Sequence, residues 1–75
     1  MNSKQDIMAM DDILKLDFLK IEAKWFKSRP RLDQTRILRA IDNAASNQTG
    51  KTAGEAEKKR KPFYKKLNEL GKLND

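Results

Sequence analysis

Few residues in this chain are equipped for bond-making chemistry. It has no histidine and no cysteine, which excludes the commonest general base, the thiol nucleophile, the thiolate metal site and a disulfide framework. Carboxylates remain: Asp6, Asp11, Asp12, Asp17 and Glu22. Acid–base work or a divalent ion requires such groups to converge on one point. At helical spacing these five spread around the axis instead, and Asp11 or Asp12 suits a helix N-cap better. The residue types thus predict a non-enzymatic protein with no cofactor, no metal and no small-molecule substrate.

Two short motifs have a chemical reading. Ala45-Ser46-Asn47-Gln48-Thr49-Gly50-Lys51-Thr52 fits the looser form of the phosphate-binding loop. That chemistry needs backbone N–H groups around phosphate, a lysine on the β and γ phosphates and a hydroxyl on magnesium, held between a strand and a helix. Here the preceding segment reads as helix, and so short a chain has no room for several β-α-β crossovers. A loop running into a capped helix is the preferred reading. Asn47-Gln48-Thr49 matches a glycosylation acceptor, but no signal-peptide pattern accompanies it.

Basic residues fall in two groups that offer phosphate contacts. Arg29, Arg31, Arg36 and Arg39 surround one acid, Asp33, across a turn and the helix after it. Lys58, Lys59, Arg60 and Lys61 form an unbroken run beside Phe63 and Tyr64, and basic residues interleaved with aromatics can grip phosphates and stack on bases. Solvated helix faces are commoner than binding sites, and Glu55 and Glu57 stand four residues before Lys59 and Lys61. These eight basic residues make nucleic-acid binding the alternative function.

The elements that must position these groups are helical. From Asp11 to Lys27 there is no Gly or Pro, and the composition favours one helix, 11 to 27. At 100° per residue, Leu14, Phe18, Ile21 and Trp25 share one stripe, whereas Leu16, Leu19, Ala23 and Phe26 share nearly the opposite one. A helix apolar on two sides must be covered on two sides. Residues 19 to 25 also alternate as a half-buried strand would, but only Ile21 is β-branched among them, so helix is preferred.

Pro30 ends that helix and can sit in the first turn of the next, which runs to about Ala45. Ile37, Leu38, Ile41, Ala44 and Ala45 face inward on it; Arg36, Arg39 and Asn43 face outward. Residues 46 to 51 form a flexible linker of polar residues. Thr52-Ala53-Gly54-Glu55 then has the spacing of a capping box and opens a basic C-terminal helix, expected to attach loosely. Pro62 either kinks it or begins a separate helix, Gly71 suits a C-terminal cap, and Asn74-Asp75 should fray.

Size and charge bound the rest. With 75 residues, 37% hydrophobic and 37% charged, the chain is one small domain that buries about 60% of its unfolded surface. The net charge of +6 is uneven: residues 1 to 50 carry nine basic and seven acidic groups, residues 51 to 75 eight and four. Such a field favours anionic partners. Nothing approaches a membrane span, and the missing cysteines, with no leader pattern, fit the cytoplasm.

In Asp6-Ile7, Met10-Asp11 and Phe18-Leu19, followed by a charged middle and by Phe63-Tyr64-Lys65-Lys66-Leu67, the chain resembles short helical C-terminal regions of tail-assembly chaperones from tailed phages of Gram-positive hosts. That resemblance implies a non-enzymatic protein of the host cytoplasm that binds tape-measure and tube proteins. The expectation is therefore an all-α bundle of three to four helices, residues 1 to 75, acting by protein binding or self-association. Phe18, Ile21, Trp25 and Phe26 would supply the apolar contact if one face of their helix stays uncovered.

Overall fold

The computed structural model describes residues 7–73, and within them every regular element is helical. Helix α1 spans Met10–Leu14, a single 3₁₀ turn spans Phe18–Lys20, α2 spans Ala23–Ser28, α3 spans Arg31–Asn47 and α4 spans Ala53–Leu73. The all-α bundle expected from the sequence is the architecture found. Asp6, Asn74 and Asp75, named above, lie outside the described residues.

The single helix over 11 to 27 is not present; three short turns replace it. Backbone at Asp17 is extended (φ −84°, ψ 94°), as it is at Ile21 and Glu22 (ψ 125° and 139°). The two apolar stripes explain the breaks. A continuous helix would aim Ile21 and Phe26 at opposite sides, whereas the breaks turn Ile13, Ile21 and Phe26 into one core with Ile37, Ile41 and Leu70. Burial of Ile13, Ile21 and Phe26 contributes about 1.5 to 3 kcal/mol each, which offsets the net contribution of about 0.5 to 1.5 kcal/mol from each helical hydrogen bond given up. The strand-like alternation of 19 to 25 surfaces only as this extended junction, and no strand forms among the described residues.

Polar side chains satisfy the backbone where the helices stop. Lys66 Nζ donates to the carbonyl of Ile21 (3.0 Å), tying α4 to the junction. Gln34 Nε2 donates to the carbonyls of Arg29 (2.9 Å) and Lys27 (3.3 Å), which closes the end of α2 against α3. Asp11 and Asp12 are not caps: the N-cap of α1 is Ala9, and both acids sit in its first turn, where they complement the helix dipole. Arg29 is extended before Pro30 (ψ 154°), as the proline ring demands, and Pro30 caps α3 instead of entering it.

Helix α3 continues through Asn47, so residues 48 to 52 are the non-helical connection and Ser46 and Asn47 belong to the helix. Thr52 Oγ1 accepts from the N–H of Glu55 (3.2 Å), half of the expected capping box; the Glu55 carboxylate accepts from the N–H of Lys51 (3.0 Å), one residue earlier than expected. Helix α4 is then continuous through Pro62 and past Gly71, so it neither splits nor ends at those residues. It is also not a loose appendage, because Leu70 is fully buried and Phe63, Leu67 and Leu73 pack on the core.

Gly50 makes the connection possible. A Cβ there would lie 2.6 Å from the Cβ of Glu55 and 2.7 Å from the amide nitrogen of Ala56, whereas one at Gly71 would meet nothing within 4 Å. Gly50→Ala is therefore expected to destabilise by about 1 to 3 kcal/mol, as overpacking against backbone does. Gly71→Ala is expected to stabilise by about 0.5 kcal/mol. Thermal melts of the two variants should move in opposite directions, with about 4 to 8 °C per kcal/mol for a domain of this size.

Candidate functional site

Asp33 sits at the start of α3 with 0% of its surface exposed. Its Oδ2 accepts from Arg29 Nη2 at 2.7 Å and from the backbone N–H of Met8 at 3.1 Å, and Arg36 Nη1 stands 3.7 Å from Oδ1. Arg36 Nη1 also donates to the carbonyl of Met8 (3.0 Å). The side chains of Arg29 and Arg36 are only 21% and 23% exposed, and Arg29 lies over the Trp25 ring, 5.8 Å from its centroid. Both polar groups of the Met8 peptide are thus clamped onto the first turns of α3.

This clamp dictates where α1 can go. The chain leaves Met8 beside Arg36 and enters α1, which packs on α3 through the fully buried Ile13. Met10 and Leu14, one helical turn apart on α1, project instead along the flank of α3. With the half-buried Phe18 they face Ala40 and Ala44 across a groove of about 320 Å³, rimmed by Arg36, Arg39, Asn43 and Asn47. Met10 and Leu14 are 52% and 62% exposed, high values for large apolar side chains that stand together. The α3 wall, Arg36 to Asn47, is three helical turns long, about 16 Å.

The expected interface residues divide. Ile21 and Phe26 are buried in the core, and the condition that one face of their helix stays uncovered is not met for them, because the breaks at Asp17 and Ile21 turned both inward. Phe18 and Trp25 are half-buried, and Phe18 lines the groove. Sequence reasoning missed Met10, Leu14, Ala40 and the role of Asp33. A lone acid set among four arginines was the one signal for the clamp.

The expected basic sites divide as well. Arg29 and Arg36 form the Asp33 cluster, so they are not an outward phosphate-binding group; Arg31 and Arg39 remain exposed. In the run on α4, Lys58, Lys59 and Lys61 are exposed and Arg60 is half-buried. Among the described residues no ion pair joins Glu55 or Glu57 to Lys59 or Lys61, since Glu55 is occupied at the helix cap. That cap also takes the Thr52 hydroxyl and the Lys51 N–H, the groups a phosphate-binding loop would need, and Ala45 to Asn47 are helical.

Among the described residues no cluster of three or more His, Cys, Asp or Glu is placed to hold a metal ion, and no helix is long and apolar enough to cross a membrane. No family model matches the chain, and neither a curated protein nor a solved structure matches it.

The clamp yields a graded expectation. Asp33→Ala removes the carboxylate that accepts from Arg29 and from the Met8 N–H and that balances the charge of Arg36, and should cost about 3 to 5 kcal/mol, a large part of the roughly 4 to 11 kcal/mol available to 75 residues; urea denaturation reads this directly. Arg36→Leu keeps the 2.7 Å Arg29–Asp33 bond, removes the longer 3.7 Å ion pair and frees the carbonyl of Met8. It should retain most of the stability while making Lys15, at the end of α1, an early site of trypsin cleavage.

Proposed function

We propose that this chain is a non-catalytic protein-docking module whose working surface is the groove between α1 and α3. The observation that carries the reading is the pair Met10 and Leu14, which stand exposed and, with Phe18, face Ala40 and Ala44 across the groove. Apolar side chains grouped in a concave strip mark interaction sites, whereas single exposed ones do not. A strip three turns long fits the apolar face of one amphipathic helix, anchored at i, i+4 and i+7.

Charge selects which helix. Among the described residues no carboxylate lines the groove and Arg39, exposed at its rim, has no ion pair, and the whole chain carries +6. A second copy would bring its own positive field, so the complementary occupant is an acidic amphipathic helix of a different protein. The resemblance to tail-assembly chaperones supports the same class, an assembly factor of a phage or mobile element in the host cytoplasm that engages tape-measure or tube proteins. Met10 and Phe18, two residues of that resemblance, line the groove.

A displayed library of randomised helical peptides, selected on the intact protein, tests this. Enriched peptides should carry apolar residues at i, i+4 and i+7 with flanking carboxylates. Leu14→Lys should weaken them more than tenfold without unfolding the protein, because Leu14 is mostly exposed, and Arg39→Gln should weaken them about three- to tenfold, as loss of one charge-assisted contact does. Peptides that bind Leu14→Lys unchanged would overturn the assignment. A solution mass of twice the monomer that Leu14→Lys abolishes would give the groove to a second copy instead.

A further inference from the structure

Helix α4 presents a second surface, on a different element from the groove and resting on different observations. At 100° per residue Lys58, Lys61, Lys65 and Lys72 fall within about 60° of one another, directly opposite Phe63, Leu67 and Leu70, the side that packs on the core. All four lysines are exposed, and among the described residues none of them has an acidic partner within ion-pair distance. The stripe runs about 21 Å along a straight helix, at 1.5 Å per residue. Tyr64, exposed, stands on its flank. Lys59 and Arg60, although part of the same basic run in sequence, fall on the half of the helix that carries Phe63, Leu67 and Leu70; the stripe is made by spacing and not by adjacency.

We propose that this stripe is a track for the phosphate backbone of double-stranded nucleic acid. Four ammonium groups on flexible stems, spaced one to two helical turns apart, can each meet a phosphate along a duplex without reading its sequence. An anionic membrane fits less well, because an interfacial helix needs an apolar face to insert, and the apolar face of α4 is covered by α3 and the core. An acidic protein surface offers carboxylates of irregular spacing in place of a repeating backbone, so it would not produce a binding strength set by the number of lysines alone.

The test is a titration of the full chain with a mixed-sequence DNA duplex at several salt concentrations, beside vesicles rich in phosphatidylserine. The expected result is binding at low salt whose logarithm falls with the logarithm of salt at a slope near −3.6, four phosphates at about −0.9 each. The variant with Lys58, Lys61, Lys65 and Lys72 all changed to Gln should bind the duplex at least tenfold more weakly and with a slope near zero. A charge-matched control with Lys15, Lys24, Lys27 and Arg31 changed to Gln, all exposed elsewhere, should keep affinity within about threefold. Circular dichroism of both variants checks that the helices remain. Equal losses in the two variants would show a mere net-charge effect and overturn the stripe, as would absence of duplex binding at low salt or binding to the vesicles alone.

Discussion

A carboxylate with no exposed surface must be met by donors on every side, and in this chain that requirement at Asp33 organises much of the molecule. Arg29 comes from the turn before α3, Arg36 from one turn further along it, and the amide of Met8 from a segment 25 residues away in sequence. Removing water from such a group is unfavourable unless all of these arrive together. The cluster therefore acts as an alignment device. It holds the α2–α3 turn and the entry of α1 in one arrangement, where a core of six large side chains would leave latitude.

The groove is a consequence of that alignment. Once Met8 is fixed beside Arg36, α1 has room for only one turn and a half before the chain must reverse to bring Ile21 and Phe26 into the core. Ile13 is the one residue of α1 with its side chain buried. Met10 and Leu14, on the neighbouring face of so short a helix, meet no second layer among the described residues and stay exposed, so the thin core that limits stability also leaves this apolar strip open.

What the sequence discloses follows the range of the forces involved. The helical class, α3 with its inward Ile37 and Ile41, the turn at Pro30 and the Thr52–Glu55 cap are all set by residues within a turn or two of each other, and all are readable in advance. The segment from Asp11 to Lys27 is not, because its local composition favours one helix and its two apolar stripes can be buried only by breaking that helix. Deciding between these needs the position of Leu70, more than forty residues away. Asp33 is similar: beside four arginines it looks like a solvated charge, and only the return of Met8 shows that it is enclosed. Gly71 and Pro62 mislead for the opposite reason, since the packing of Phe63, Leu67 and Leu70 on α3 outweighs their local preferences.

The same geometry redistributes charge in a way that composition hides. The arginine group near α3 surrounds one acid, and Asp33 pairs with two of its four members and turns them into structural parts. The lysines of α4 belong to a less conspicuous pattern: Glu55 is committed to the helix cap and Glu69 pairs with Lys66, and although Glu57 and Glu69 border the stripe, neither is within ion-pair distance of its four lysines among the described residues. Arginine, with its planar fork, suits the enclosed clamp, where two bonds must be aimed at once. Lysine, a hydrated point charge on a flexible stem, suits a solvent-facing stripe. Residue chemistry and position agree on both surfaces, with an exposed lysine stripe on the outer side of α4 and the apolar groove on the flank formed by α1 and α3.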